Sequence, residues 1–179
     1  MDMDLLPFAA LVPACQTHGS GYCVSMADLT AGSMTATTLQ KVASAVAAVF
    51  LIVGALGFVP GVTTDYDSMA FAGTESEAML LGIFQVSVLH NIVHLLFGVA
   101  GFALARSWSG ARSFLIGGGA VYLVLWVYGL AIERDGDANF VPVNDADNWL
   151  HLALGLGMIL LGTALGRSDT GTQGGTLRR

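Results

Sequence analysis

The sequence predicts an all-α integral membrane protein, a four-helix bundle of up-down topology. Four charge-free runs, Val42–Thr64, Ala78–Ala105, Ser113–Ile132 and Asn148–Gly166, carry this reading. Each approaches or exceeds the roughly 18–20 residues that span a bilayer core. Charged residues make up 11% of the chain and hydrophobic ones 54%, where ordinary soluble domains are roughly 25% charged. The mean hydropathy is +0.68. A soluble bundle of four such helices would have no polar face left for water.

Along the chain, residues 1–40 are expected to form a poorly ordered extension rich in Ala, Ser, Thr and Gly. Its apolar patch Leu5–Val12 is too short to span, and its acidic start is unlike a signal peptide. From Met34 a basic flank, Lys41, leads into an apolar run, but no small-residue cleavage site follows. That run is therefore read as a retained first helix over about Lys41–Val59, stopped by Pro60-Gly61. A loop holding Asp65, Asp67, Glu75 and Glu77 precedes a second helix, roughly Leu81–Ala105. The turn Arg106–Arg112 leads to a third, about Ser113–Ile132. A second acidic loop, with Glu133, Asp135, Asp137, Asp145 and Asp147, precedes a fourth, about Asn148–Gly166. The transmembrane domain is thus 41–166, and 167–179 reads as a flexible cytoplasmic tail.

Lysine and arginine set the orientation. Lys41, Arg106, Arg112, Arg167, Arg178 and Arg179 fall on one side of a four-span arrangement, and only Arg134 falls on the other. Both termini are therefore expected in the cytoplasm. The two long loops, with nine of the thirteen acids, face out as a solvated acidic surface. Asp65-Tyr66-Asp67 and Asp145-Ala146-Asp147 pair carboxylates without continuing into a calcium-loop pattern. Tyr66 and Trp149 suit an interface.

The second and fourth helices share a motif. Asn91-x-x-His94-Leu95-x-x-Gly98 matches Asn148-x-x-His151-Leu152-x-x-Gly155, which makes a duplicated helical hairpin plausible. Helical spacing puts Ser87, Asn91, His94, Gly98, Gly101 and Ala105 on one stripe. It puts Asn148, His151, Gly155, Met158 and Gly162 on another. Small residues let backbones approach, so Gly98, Gly101, Gly155 and Gly162 are close-packing candidates, as is Gly162-x-x-x-Gly166. Asn91, His94, Asn148 and His151 are read as a polar core stripe that fixes helix register by hydrogen bonds across helices. The run Gly117-Gly118-Gly119 eases packing of the third helix.

An ionisable residue inside a span is a functional hypothesis by default. Counting from Arg106 and Arg167, His94 and His151 lie about 18 Å and about 24 Å from the inner anchors, in the outer half of the membrane. His90 stands one turn above His94. Facing histidines can hold haem b, and His90, His94 and His151 together can bind a transition metal. No cofactor is predicted ahead of these alternatives. Cys15, His18 and Cys23 fall in the N-terminal extension, where a loose tail is the preferred reading over a metal site.

The net charge of −6 argues against nucleic acid. The expected partner is the lipid bilayer, with a homo-oligomer or another membrane protein as further partners. The sequence carries no nucleophile motif, phosphate loop or dinucleotide fingerprint, so no catalytic residue is assigned. The leading reading is a non-enzymatic structural or interaction bundle. The alternatives are a membrane redox protein using His94 and His151, and a small transporter subunit or oligomeric scaffold.

The stretch GVTTDYDSMAFAGTESEAMLLGIFQVSVLHNIVHLLFGVAGFALA, followed later by VPVNDADNWLHLALGLGMILLG, closely resembles the family catalogued as domain of unknown function 4383. The most specific phrases are Val88-Leu89-His90-Asn91 through His94 and Asp147-Asn148-Trp149-Leu150-His151. The resemblance covers about Thr38–Arg167. It implies a four-span protein of the bacterial cytoplasmic membrane and supplies no activity, substrate or catalytic residues.

Overall fold

The computed structural model describes residues 16–18, 22–24, 36–136 and 138–174. The chain divides into two units, Met1–Thr35 and Ala36–Arg179. In the first, strands β1 (Gln16–His18) and β2 (Tyr22–Val24) pair antiparallel. Cys15, and the side chains of His18 and Cys23, lie outside the described residues.

The second unit is built on four helices, α1 (Thr38–Leu56), α2 (Val88–Leu104), α3 (Trp108–Ala131) and α4 (Asp145–Gly174). α1 begins three residues before the predicted start because Thr37-x-x-Gln40 is a capping box. The Gln40 N–H donates to Thr37 Oγ1 at 3.3 Å and the Thr37 N–H to Gln40 Oε1 at 3.0 Å. Its buried residues Leu39, Ala43, Ala47, Phe50 and Gly54 recur every three or four positions and form one inward stripe.

α2 corrects the sequence reading. Leu81–Ser87 is not helical, and Ser87 caps the helix by accepting the His90 N–H at 3.1 Å. The preceding residues instead form strands β3 (Thr63–Thr64), β4 (Met79–Leu80) and β5 (Phe84–Gln85), antiparallel in the order β3-β4-β5. The β4–β5 turn requires positive φ at Leu81 (+55°) and Gly82 (+68°). Ala78, Leu80 and Val86 make a small core beneath this sheet, joined by Val53 and Leu56 of α1.

Three of the four helices are long and apolar enough to cross a membrane. These are α1, α3 and the Asp145–Arg167 part of α4. With 17 residues, α2 is apolar but shorter than the span read from its sequence. α4 continues past the predicted end at Gly166 to Gly174.

The helices pair as hairpins. Leu51 meets Gly98 and the Gln40 side chain donates to the Ala105 carbonyl at 3.1 Å, so α1 and α2 run in opposite directions. α3 and α4 do the same, with Leu123 against Gly155 and Ile116 against Gly162. These are the two most extensive interfaces, while α2 and α4 barely meet. Between the hairpins, Phe50 stacks on Tyr122 at 5.5 Å and Phe97 meets Phe114 at 5.2 Å.

The two hairpins repeat one set of contacts. A Cβ at Gly98 would lie 2.7 Å from Leu51 Cδ2 and 2.9 Å from the Ala47 carbonyl oxygen. At Gly155 it would lie 2.7 Å from Leu123 Cδ2 and 3.0 Å from the Gly119 carbonyl oxygen. Asn91 packs its amide on Gly57, and Asn148 packs its amide on Gly129. His94 lies against Phe50, and His151 against Tyr122, at 5.7 and 5.2 Å. Every residue of the first set has its counterpart either 72 positions later, in α3, or 57 positions later, in α4.

Candidate functional site

At the end of the second unit that carries the loops, α1, α2, α4 and the β4–β5 turn enclose a cavity of about 100 Å³. Helical spacing in α2 aims His90, Asn91 and His94 toward it, and the first turns of α4 contribute Asp147 and His151. Val53, Leu80, Phe84, Val86 and Leu154 supply an apolar wall. Of the sequence-derived residues, His90, Asn91, His94 and His151 thus meet at one place. Asn148 lies outside the lining, against Gly129. The glycines Gly98, Gly101, Gly155 and Gly162 are buried where helices touch.

The polar bonds at this site are mostly local. His94 Nδ1 lies 3.0 Å from the His90 carbonyl oxygen. A carbonyl only accepts, so this nitrogen carries hydrogen and Nε2 of a neutral His94 presents a lone pair. The Asn91 amide donates to Met69 Sδ at 3.9 Å. Neither residue bonds a side chain of another helix. The Nδ1 atoms of His90 and His151, and Asn148 Oδ1, are buried and without a hydrogen-bond partner. Both histidines are only 6% exposed. An unsatisfied buried polar group costs about 1–3 kcal/mol, so these three atoms are the places in the site where a further polar partner would stabilise most.

Asp147 is the residue that sequence reading misplaced. Expected on a solvated acidic face, it is buried, with 3% of its surface exposed. Its Oδ2 accepts the backbone N–H of Asn144 at 3.1 Å and of Gln85 at 3.0 Å. Asn144 Oδ1 in return accepts the Asp147 N–H at 2.9 Å, and Asn144 Nδ2 donates to the Ile83 carbonyl at 2.7 Å. Asn144-x-x-Asp147 is therefore a capping box for α4 that also ties the β4–β5 hairpin down over the cavity. A carboxylate at a helix N-terminus also complements the helix dipole. The signal was present in the asparagine three residues before the acid. The neighbouring Asp145 stays exposed and pairs with Arg134 at 2.5 Å.

The three histidines do not assemble as a ligand set. His90 and His94 stack ring on ring at 4.6 Å, and one His94 nitrogen is already bound to a carbonyl. Among the described residues no three His, Cys, Asp or Glu side chains are grouped to hold a metal ion. The redox reading through His90, His94 and His151 therefore gains no support.

Three membrane-length apolar helices and a fourth shorter one, folded as repeated hairpins beside a small, mostly apolar cavity that holds a few polar side chains, define a class of helical protein with membrane-span-like segments. The chain belongs to the family described as Domain of unknown function (DUF4383), which matches residues 40–164. No curated protein and no solved structure matches the chain.

Proposed function

We propose that this protein is an integral four-helix bundle of the bacterial cytoplasmic membrane, up-down in topology, with both termini in the cytoplasm. In this reading it acts as a non-enzymatic structural or interaction unit. One observation carries the membrane part of this reading. Only 28–33% of each membrane-length helix is buried, although all three are strongly apolar. Ile52, Val124 and Leu160 are among the large side chains left exposed on them. Soluble monomers rarely expose contiguous apolar patches beyond a few hundred Å², whereas lipid accepts such a surface at no cost.

The basic residues support the orientation. Lys41, Arg106 and Arg112 lie near the ends of α1, α2 and α3 that meet at the short turn, and Gly166 of α4 reaches Arg112 there. Arg134 lies at the opposite end, beside Asp145. Retention of positive charge on the cytoplasmic side then places the loops outside.

Carbonate washing of membranes tests the first claim, with the protein expected to stay in the pellet. Release into the wash, or recovery from a detergent-free lysate, overturns it. Single cysteines at Thr74 and Ser109, in a chain whose Cys15 and Cys23 are replaced by serine, test the orientation. A membrane-impermeant maleimide should label Thr74→Cys on intact cells and Ser109→Cys only after permeabilisation. The opposite pattern inverts the topology.

A further inference from the structure

The cavity between α2 and α4 has a built-in chemical preference. Two of the side chains in its lining present hydrogen-bond acceptors. His94 offers an Nε2 lone pair when neutral, because its Nδ1–H is spent on the His90 carbonyl. Asp147 offers a carboxylate. His90 Nδ1 and His151 Nδ1 are buried and unpartnered, and no Lys or Arg lines the space. Such a surface asks for a ligand that donates a hydrogen bond. The rest of the wall is aliphatic or aromatic, so the body of that ligand is apolar. The volume of about 100 Å³ is somewhat below the roughly 150 Å³ cavity that accepts benzene, which suits the head of a molecule whose remainder projects through the mouth. Leu81 and Leu150, both exposed, form apolar parts of that lining.

We propose that this cavity binds the hydroxyl head of an apolar phenol or alcohol dissolved in the membrane. This ligand class rests on the bilayer reading above. The O–H donates to an imidazole lone pair, the hydrocarbon lies along Leu80, Phe84 and Leu154, and access is lateral, past Leu81 and Leu150, rather than from water.

Full-length protein in detergent micelles, dialysed against radiolabelled 4-ethylphenol, tests the assignment. The hydroxyl-free isostere 4-ethyltoluene and protein-free micelles are the controls. Saturable uptake of about one 4-ethylphenol per chain is expected, with 4-ethyltoluene only partitioning into the micelle. His94→Leu and His151→Leu should each weaken binding about tenfold, the effect of losing one good polar contact, and His151→Gln should retain part of it. A readout on the wild type needs no variant to fold. In protein carrying ¹⁵N-labelled histidine, 4-ethylphenol should shift the His94 and His151 ring resonances. Unchanged resonances, the result for a cavity that holds only water, overturn the proposal. So does equal uptake of the two compounds, or uptake no greater than by empty micelles. If uptake fails while the protein still resists the carbonate wash, the pocket assignment falls and the membrane reading stands. If the protein proves soluble, the membrane reading falls, and a membrane-dissolved ligand falls with it.

Discussion

The α1–α2 and α3–α4 hairpins share their packing and differ in their polar chemistry. Leu51 on Gly98 and Leu123 on Gly155 are the same contact made twice, as are the amides of Asn91 on Gly57 and Asn148 on Gly129. The polar bonds have diverged. Asn91 reaches Met69 in a long loop that holds a sheet, whereas Asn148 Oδ1 has no partner. His94 Nδ1 is bonded within its own helix and His151 Nδ1 is not. Ser87 caps α2 with one bond, and its counterpart Asn144 caps α4 and grips the β4–β5 turn as well. Steric fit thus defines the repeated unit, and the loops decide what its buried polar groups do.

The largest effects should come from glycines at the shared contacts. A Cβ at Gly119 would lie 2.8 Å from the Gly155 carbonyl oxygen, and one at Gly98 2.9 Å from that of Ala47. Neither backbone can yield without parting the helices. Gly119→Ala and Gly98→Ala should each destabilise by about 1–3 kcal/mol, read as a lower midpoint in denaturant titration of the detergent-solubilised protein. Gly117→Ala, where no atom lies within 4 Å, should cost nothing and can gain up to about 1 kcal/mol from helix propensity. The counterpart of Gly98 is Gly155, where a Cβ would lie 3.0 Å from the Gly119 carbonyl oxygen, so a large loss in Gly155→Ala with none in Gly98→Ala would show that the two interfaces are not mechanically equivalent.

The caps sharpen the polar side of the comparison. Asn144→Ala removes the capping bond to Asp147 and the link to Ile83, and should cost about 2 kcal/mol. Ser87→Ala removes one bond and should cost about 1 kcal/mol. Hydrogen exchange should show the Gln85 amide losing protection in the first variant and keeping it in the second. Equal losses would mean that the tie between the sheet and α4 contributes little.

Leu81 belongs to the first hairpin alone, with a positive φ that L-residues avoid by about 1–2 kcal/mol. Its side chain is 60% exposed, so Leu81→Gly should raise the unfolding midpoint slightly. The smallest effect concerns the second hairpin. Arg134→Gln breaks an ion pair between a half-buried arginine and the exposed Asp145 and should change stability by less than about 1 kcal/mol, diminishing further in salt.

Much of the fold was legible because apolar length is additive along a sequence. The uncharged runs marked all four helices, and the shared Asn-x-x-His-Leu-x-x-Gly phrase pointed to equivalent contacts. The start of α2 was misjudged because Leu80–Leu89 is rich in apolar residues whether it lies in a helix or beneath a sheet. Ser87, three residues before the amide it caps, was the local sign that the helix starts later. Strands of two residues show no alternation to read, so the sheet over the cavity was invisible. Gly57 and Gly129 were missed because a glycine that receives a distant amide leaves no mark in its own neighbourhood. The four polar residues near the cavity were identified, but not Asp147, which hydropathy assigns to water and a capping box assigns to the interior.

The brevity of α2 has a consequence for the membrane placement proposed above. Seventeen residues rise about 25 Å, some 5 Å short of a typical hydrocarbon core. Leu81 and Ile83, exposed on the adjoining turn, continue the greasy band a little beyond the helix. In the bilayer setting proposed above, lipid around this flank would thin, or the longer helices would tilt, to avoid hydrophobic mismatch, at a fraction of a kcal/mol per Å. Reconstitution into phosphatidylcholines of graded acyl length should therefore find the protein most resistant to heat in a bilayer thinner than its longest helix would choose.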